Sequence, residues 1–124
     1  MLDSYALAPR RLVLRPVRTD DATALHAHWT HPDVRRYLWD DAVIERAQVD
    51  EIIAESNRLF KKHRYGLWSV CPSEEDPLMG CAGFWTFHEP PRLELILSLS
   101  PEHWGQGYAE EAGHALIDYG FGTL

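Results

Sequence analysis

Glu94-Leu-Ile-Leu-Ser-Leu-Ser-Pro-Glu-His-Trp-Gly-Gln-Gly-Tyr-Ala-Glu-Glu-Ala112 is the stretch on which the fold turns. Leu93, Leu95, Leu97 and Leu99 alternate with Glu94, Ile96 and Ser98, the period of two that a strand imposes on its faces. One face is expected to be core, and the other to line a cleft. Ser100-Pro101 breaks the strand, His103-Trp104-Gly105-Gln106-Gly107 makes a glycine-bearing loop, and Ala109, Ala112, Leu116 and Tyr119 mark one face of a following helix. Glycines between a strand and a helix let the backbone pass close to a ligand. The first N–H groups of the helix, together with its dipole, favour an anion there. By itself this is a generic phosphate cradle or a plain tight turn. No Gly-Lys-Ser/Thr follows, as a nucleotide P-loop requires, and the third glycine of the dinucleotide fingerprint is absent.

Upstream, Arg11-Leu-Val-Leu-Arg-Pro-Val-Arg18 reads as a first strand, with Pro16 marking an edge or an end. Thr19, Asp20 and Asp21 provide N-cap oxygens for a short helix carrying Ala22, Leu25 and Trp29. Residues 31–43 show no sustained period. Val49, Ile52, Ile53, Leu59 and Phe60 then mark a longer helix from about 44 to 63, with Lys61, Lys62 and His63 suited to its C-terminal end. Tyr65 to Val70 and Leu78 to His88 read as an antiparallel hairpin around an exposed acidic loop, Pro72 to Pro77. The order β, α, α, β, β, β, α describes an α/β or α+β domain on a mixed, mainly antiparallel sheet. A strand-to-helix unit usually feeds a parallel neighbour, so the chain reads as stopping after its last helix with part of the fold still to come.

The chain has 124 residues, 45% of them hydrophobic, enough for one domain over residues 1–124 without disulfides or metal. Twelve Lys and Arg against nineteen Asp and Glu give a net charge of −7. That balance argues against nucleic-acid binding and favours a cationic partner. No apolar run approaches a bilayer span and Met1 to Arg10 contains no signal core, so the expected setting is cytoplasmic, without a membrane. Cys71 and Cys81 are expected as reduced core residues. His26, His28 and His31 invite a metal reading, but only His28 and His31 share a helix face and no second ligand pair follows. Solvated helix-surface histidines, with no metal, are the expectation.

The Glu94 to Ala112 stretch closely resembles the acyl-CoA-binding motif of the GNAT N-acetyltransferase superfamily, in the branch typified by the RimJ/RimL ribosomal-protein N-terminal acetyltransferases. Arg11-Leu-Val-Leu-Arg-Pro resembles that branch's first strand, His31-Pro-Asp-Val its first inter-helix loop, and Leu78-Met-Gly-Cys-Ala-Gly-Phe its third strand, so the resemblance covers essentially the whole chain. It implies an acetyl-CoA site with a pyrophosphate loop on Trp104, Gly105, Gln106, Gly107, Tyr108 and Ala109. Trp104 stands where the general pattern has Gln or Arg, so backbone amides, without a local Lys or Arg, are expected to hold the anion. Backbone groups near Leu97 and Leu99 are the implied partners of the pantetheine arm, bound like an added strand.

The implied reaction is attack of a neutral amine on a thioester. A primary alkyl amine titrates near ~10.4, so its proton must be removed by a base or a water chain. Glu94, acting through water, is the candidate base, and Ser98 shares its face. For the amine acceptor, a small molecule or a peptide, the resemblance points to the N-terminal helices and nearby strands, offering Trp29, Tyr37, Trp39, Trp85 and His88; core packing is the alternative use of these aromatics. The superfamily's fifth strand, and a proton-donating tyrosine beyond it, have no counterpart in this sequence. The strand bearing Glu94 is then expected to be an edge, covered by self-association or strand pairing.

Overall fold

A computed structural model describes residues 5–39, 41–73, 76–87 and 92–123. Its strands are β1 (Val13–Pro16), β2 (Leu67–Cys71), β3 (Gly80–Phe87) and β4 (Arg92–Leu99), and its helices are α1 (Ala22–Thr30), α2 (Pro32–Leu38), α3 (Arg46–His63) and α4 (Tyr108–Thr123). The strands form one sheet in the order β1-β2-β3-β4, each pair antiparallel. The mixed sheet expected from the sequence is thus antiparallel throughout its described strands, because each strand returns beside its predecessor. β1 ends at Pro16 on one edge, as a residue without a ladder N–H should.

The sheet is covered on both faces. On one side Leu12, Leu14, Val70, Ala82 and Leu99 pack with Ala112 and Leu116 of α4 and Phe60 of α3 around Trp68. Trp68 meets Phe60 edge-on at 4.7 Å between centroids, and its indole N–H donates to the Tyr5 carbonyl at 2.8 Å. On the other side Leu67 and Cys81 pack against Leu25 and Trp29 of α1, Val34 of α2, and Val49 and Ile53 of α3. β2 lies between the two layers and all five of its residues are buried. Cys71 and Cys81 are free thiols, and burial pushes them up to about 11 and about 12, as befits inert core residues.

Asp21 anchors the entry to α1. Its buried carboxylate accepts from the Arg15 guanidinium at 2.9 and 3.0 Å, from the Arg18 N–H and from the Ser69 hydroxyl. α3 starts where the Gln48 side chain accepts the Glu45 N–H, and it ends at Arg64 in the left-handed region (φ 65°). The segment expected to be an irregular inter-helix loop is instead helix α2. Proline at a first helical position loses no helical hydrogen bond, and His31 Nδ1 caps the new helix by accepting the Asp33 N–H at 3.1 Å.

β4 forms the other edge of the described sheet. The leucine face expected to be core is so only in part: α4 covers Leu97 and Leu99, whereas Leu93 and Leu95 are 45% and 40% exposed, Leu95 beside Ile117 and Phe121. At Gly120 α4 still lies over Phe84, the partner of Leu95, so these two leucines are left open by their place on the edge strand of the described sheet.

Candidate functional site

β4, a short turn at Pro101–His103, and the loop running into α4 build one cleft. Gly105 and Gly107 have φ of 76° and 81°, a conformation that costs an L-residue about 1 kcal/mol or more, which is why glycine stands at both positions. The indole N–H of Trp104 donates to the Leu99 carbonyl at 2.8 Å, and the Gln106 side chain donates to the Glu102 carbonyl at 3.1 Å. Both bonds fold the loop back on the end of the strand. The cleft, about 690 Å³, is lined by Leu97, Ser98, Leu99, Trp104, Gly105, Gly107, Tyr108 and Ala109, with Asp33 and Val34 of α2 among its further walls. Seven of the eight residues expected to hold a cofactor therefore converge; the eighth, Gln106, is in the same loop with its side chain on Glu102.

The backbone orientation of β4 follows from its ladder. Ser100 N–H donates to the Met79 carbonyl, on the β3 side, so alternation turns the N–H and C=O of Leu99 and Leu97 to the open edge. The Leu99 carbonyl is the one Trp104 engages, which leaves Leu97 as the edge position suited to an extended ligand.

The expectation that no Lys or Arg stands near the loop is corrected by Arg11. Its guanidinium donates to the Gln106 carbonyl at 3.0 Å, pairs with Glu111 through Nε at 3.0 Å, and lies 4.4 Å above the Tyr108 ring. Glu111, in the first turn of α4, accepts the backbone N–H groups of Arg10, Arg11 and Leu12 at 3.1, 2.7 and 3.1 Å. Burial opposes ionisation of Glu111, but the hydrogen bonds from Arg11 and Leu12 and the Arg11 charge prevail, so its pKa is lowered. Sequence separations of 95 to 101 residues hid this clasp.

The histidine cluster is also corrected. His28 is not a solvated helix residue: it is 4% exposed, with Nε2 2.8 Å from the Ser98 hydroxyl and Nδ1 3.1 Å from the Ser100 hydroxyl. Burial, and secondarily the charge of His31, lower its pKa to about 4. His26 bonds the Ile44 carbonyl and His31 caps α2. Among the described residues no group of three His, Cys, Asp or Glu side chains is placed to hold a metal ion.

Glu94 is exposed opposite Trp85, on the face of Ile96 and Ser98 and about 13 Å along the strand from Ser98. Trp29 is core, 2% exposed, and meets Trp39 edge-on at 5.3 Å; Trp39 and Trp85 are partly buried against the same cluster. The His88 position and the Tyr37 side chain lie outside the described residues. Sequence reasoning missed Arg11, His28 and Ser100, whose only signal was polarity at positions that the fold brings against the cleft's loop and strand.

Residues 11–124 match the acetyltransferase (GNAT) domain. The uncharacterized N-acetyltransferase p20 of Bacillus licheniformis is 34% identical over 119 residues, covering 95% of this chain and 67% of that protein. The uncharacterized N-acetyltransferase YoaA of Bacillus subtilis is 29% identical, covering 92% and 65%. Among solved structures, an acetyltransferase from Agrobacterium tumefaciens superposes with a TM-score of 0.76 at 25% identity, over 94% of this chain and 66% of that one. RimL, a ribosomal-protein alpha-N acetyltransferase, superposes at 0.72 and 16% identity over 96% and 67%, a likeness of fold. The chain thus spans about two thirds of the length of these relatives. With its sheet, its strand-to-helix loop and its sequence in agreement, the chain belongs to the GNAT acetyltransferase family.

Proposed function

We propose that this chain binds acetyl-CoA in the β4/α4 cleft and transfers the acetyl group to a primary amine, in a protein N-terminus, a polyamine or a small molecule. The observation that supports this reading is the junction itself. The open backbone of Leu97 runs into a loop whose two left-handed glycines present the N-terminus of α4. These residues fit the group. Gly105 and Gly107 bring no β-carbon between a pyrophosphate and the helix amides, the dipole favours its charge, and Arg11 sets the loop's shape and adds a cation. Leu97 offers one N–H and one C=O for a pantetheine-like arm.

When bound, acetyl-CoA supplies an activated thioester acyl group. The chain's own residues then have two tasks. Backbone donors of β4 stabilise charge developing on the acyl oxygen, and polar groups on the α1 side, Ser98 first and Glu94 through water, draw the proton from the amine. The negative charge of the protein favours a cationic acceptor.

A thermal-shift titration with acetyl-CoA, with 3′-phospho-ADP as the control ligand, tests binding; CoA thiol release over a panel of primary amines tests transfer. The expected result is a midpoint that rises with acetyl-CoA concentration and release that depends on the amine. No rise would overturn the reading. Binding without release would favour a second one, a CoA-binding or interaction module without turnover. The exposed edge and its apolar side chains, Leu93, Leu95, Ile117 and Phe121, speak for that alternative. In either case we propose that the β4 edge is covered by self-association or by segment exchange between chains, and a strictly monomeric species in sedimentation would refute this.

A further inference from the structure

We infer that His28 carries the acceptor amine's proton out of the cleft, through a relay of Ser98, the His28 imidazole and Ser100 that opens into a pocket between α1 and the Ser100–Glu102 turn. The inference rests on the acetyl-transfer reading above and names the positioning residue that Ser98 acts through. Ser98 lines the cofactor cleft, whereas Ser100 and His28 line a separate pocket of about 410 Å³ with His31, Leu78, Pro101 and Glu102. The imidazole is the bridge between the two spaces. It is buried, and each ring nitrogen is within hydrogen-bond distance of one serine hydroxyl.

A structural histidine needs one partner for each nitrogen, and two serines on alternate residues of the same strand end would satisfy it. Here, however, the two serines line different spaces, which a purely packing role does not require. In the tautomer with hydrogen on Nδ1, the ammonium gives a proton to Ser98 Oγ as the Ser98 hydroxyl proton passes to Nε2. The Nδ1 proton passes to Ser100 Oγ, and the Ser100 hydroxyl proton passes to water in the outer pocket. One proton has entered at Ser98 and one has left at Ser100, and the ring is neutral throughout. A proton passed back along the same chain to the departing sulfur restores the starting tautomer, and the second proton that the nitrogen loses on becoming an amide passes to water at the open side of the cleft, so one proton is released overall. Burial keeps the ring neutral during this exchange, since His28 titrates at about 4. The charged and titratable groups that line the two spaces are, among the described residues, His31 and Glu102 on the outer pocket, and Asp33, His103, Tyr108 and Glu110 on the cleft.

The test compares the wild-type chain with His28→Gln, Ser100→Ala and His28→Ala, using acetyl-CoA affinity, kcat, KM and the pH–rate profile with a primary amine as acceptor. The expected result is acetyl-CoA affinity within about threefold of wild type for all variants, and kcat lowered by at least ~10-fold in both His28→Gln and Ser100→Ala. Their kcat/KM should then rise with unit slope toward alkaline pH, following the free amine, and added imidazole should restore part of the rate in His28→Ala. Unchanged kcat and pH profile in His28→Gln and Ser100→Ala would overturn the relay. So would acetyl-CoA affinity that falls in step with kcat, because that is the signature of a structural histidine. A wild-type chain that binds acetyl-CoA and transfers to no amine overturns the proposed function, and the relay with it, before any variant is compared.

Discussion

Acidification should destabilise this protein through His28, and the size of the effect follows from its surroundings. The ring is 4% exposed, and burial first, then His31, lower its pKa from 6.5 to about 4. Between those values the unfolded chain binds the proton and the folded one does not. Stability therefore rises with pH in that window and is lost as pH falls from 6.5 toward 4. At ~1.36 kcal/mol per pKa unit the whole window amounts to about 3 kcal/mol, of which about 2 kcal/mol is gone at pH 5. The comparison is with His28→Gln, which keeps polar contacts to the serines but does not titrate. Urea unfolding followed by tryptophan fluorescence at pH 8, 6.5 and 5 reads the difference. With a slope of about 2 kcal/mol per molar urea, the wild-type midpoint should drop by about 1 M from this source alone. The variant starts less stable, and its gap to wild type should narrow by about 2 kcal/mol at pH 5. Parallel curves for the two proteins would refute the reasoning, since they would mean that His28 titrates alike folded and unfolded.

Three other outcomes are expected. Glu111→Gln removes the charge on which three backbone N–H groups and Arg11 converge, and should cost about 1–2 kcal/mol at pH 7. Because the folded pKa of Glu111 is lowered from 4.5, that difference should be present above pH 4.5 and fade as pH falls below it, which thermal unfolding across pH would show. Gly107→Ala places a β-carbon at φ 81° and 3.2 Å from Arg11 Nη2; calorimetry should find acetyl-CoA affinity reduced about tenfold, with about 1–2 kcal/mol of lost stability. Arg11→Ala releases the Gln106 carbonyl and the Tyr108 face. Its half-exposed ion pair is worth under ~1 kcal/mol, so affinity measured by titration should fall while the melting midpoint moves little.

What the sequence determined by itself was local. The alternation from Leu93 to Leu99, the break at Ser100-Pro101 and the glycines at 105 and 107 specify a strand, a loop and a helix start, because backbone period and left-handed φ are properties of a few neighbouring residues. The family resemblance lies in the same stretch, and seven of its eight expected cofactor residues line one cleft. α2 was missed because Pro32 breaks a continuing helix yet suits the first turn of a new one, and only the direction of the chain beyond Thr30 decides between them. Likewise, whether a leucine on the β4 face is core depends on what lies beside the strand, and at the edge of the described sheet Leu93 and Leu95 stay exposed. The polar machinery was decided by tertiary structure alone. His28 meets Ser98 and Ser100 across 70 and 72 residues, and Arg11 meets Glu111 across 100. A polar side chain's role is set by the group that replaces its water on burial, and no spacing in the chain names that group; the packing of α1 on β4 and of β1 beside α4 does.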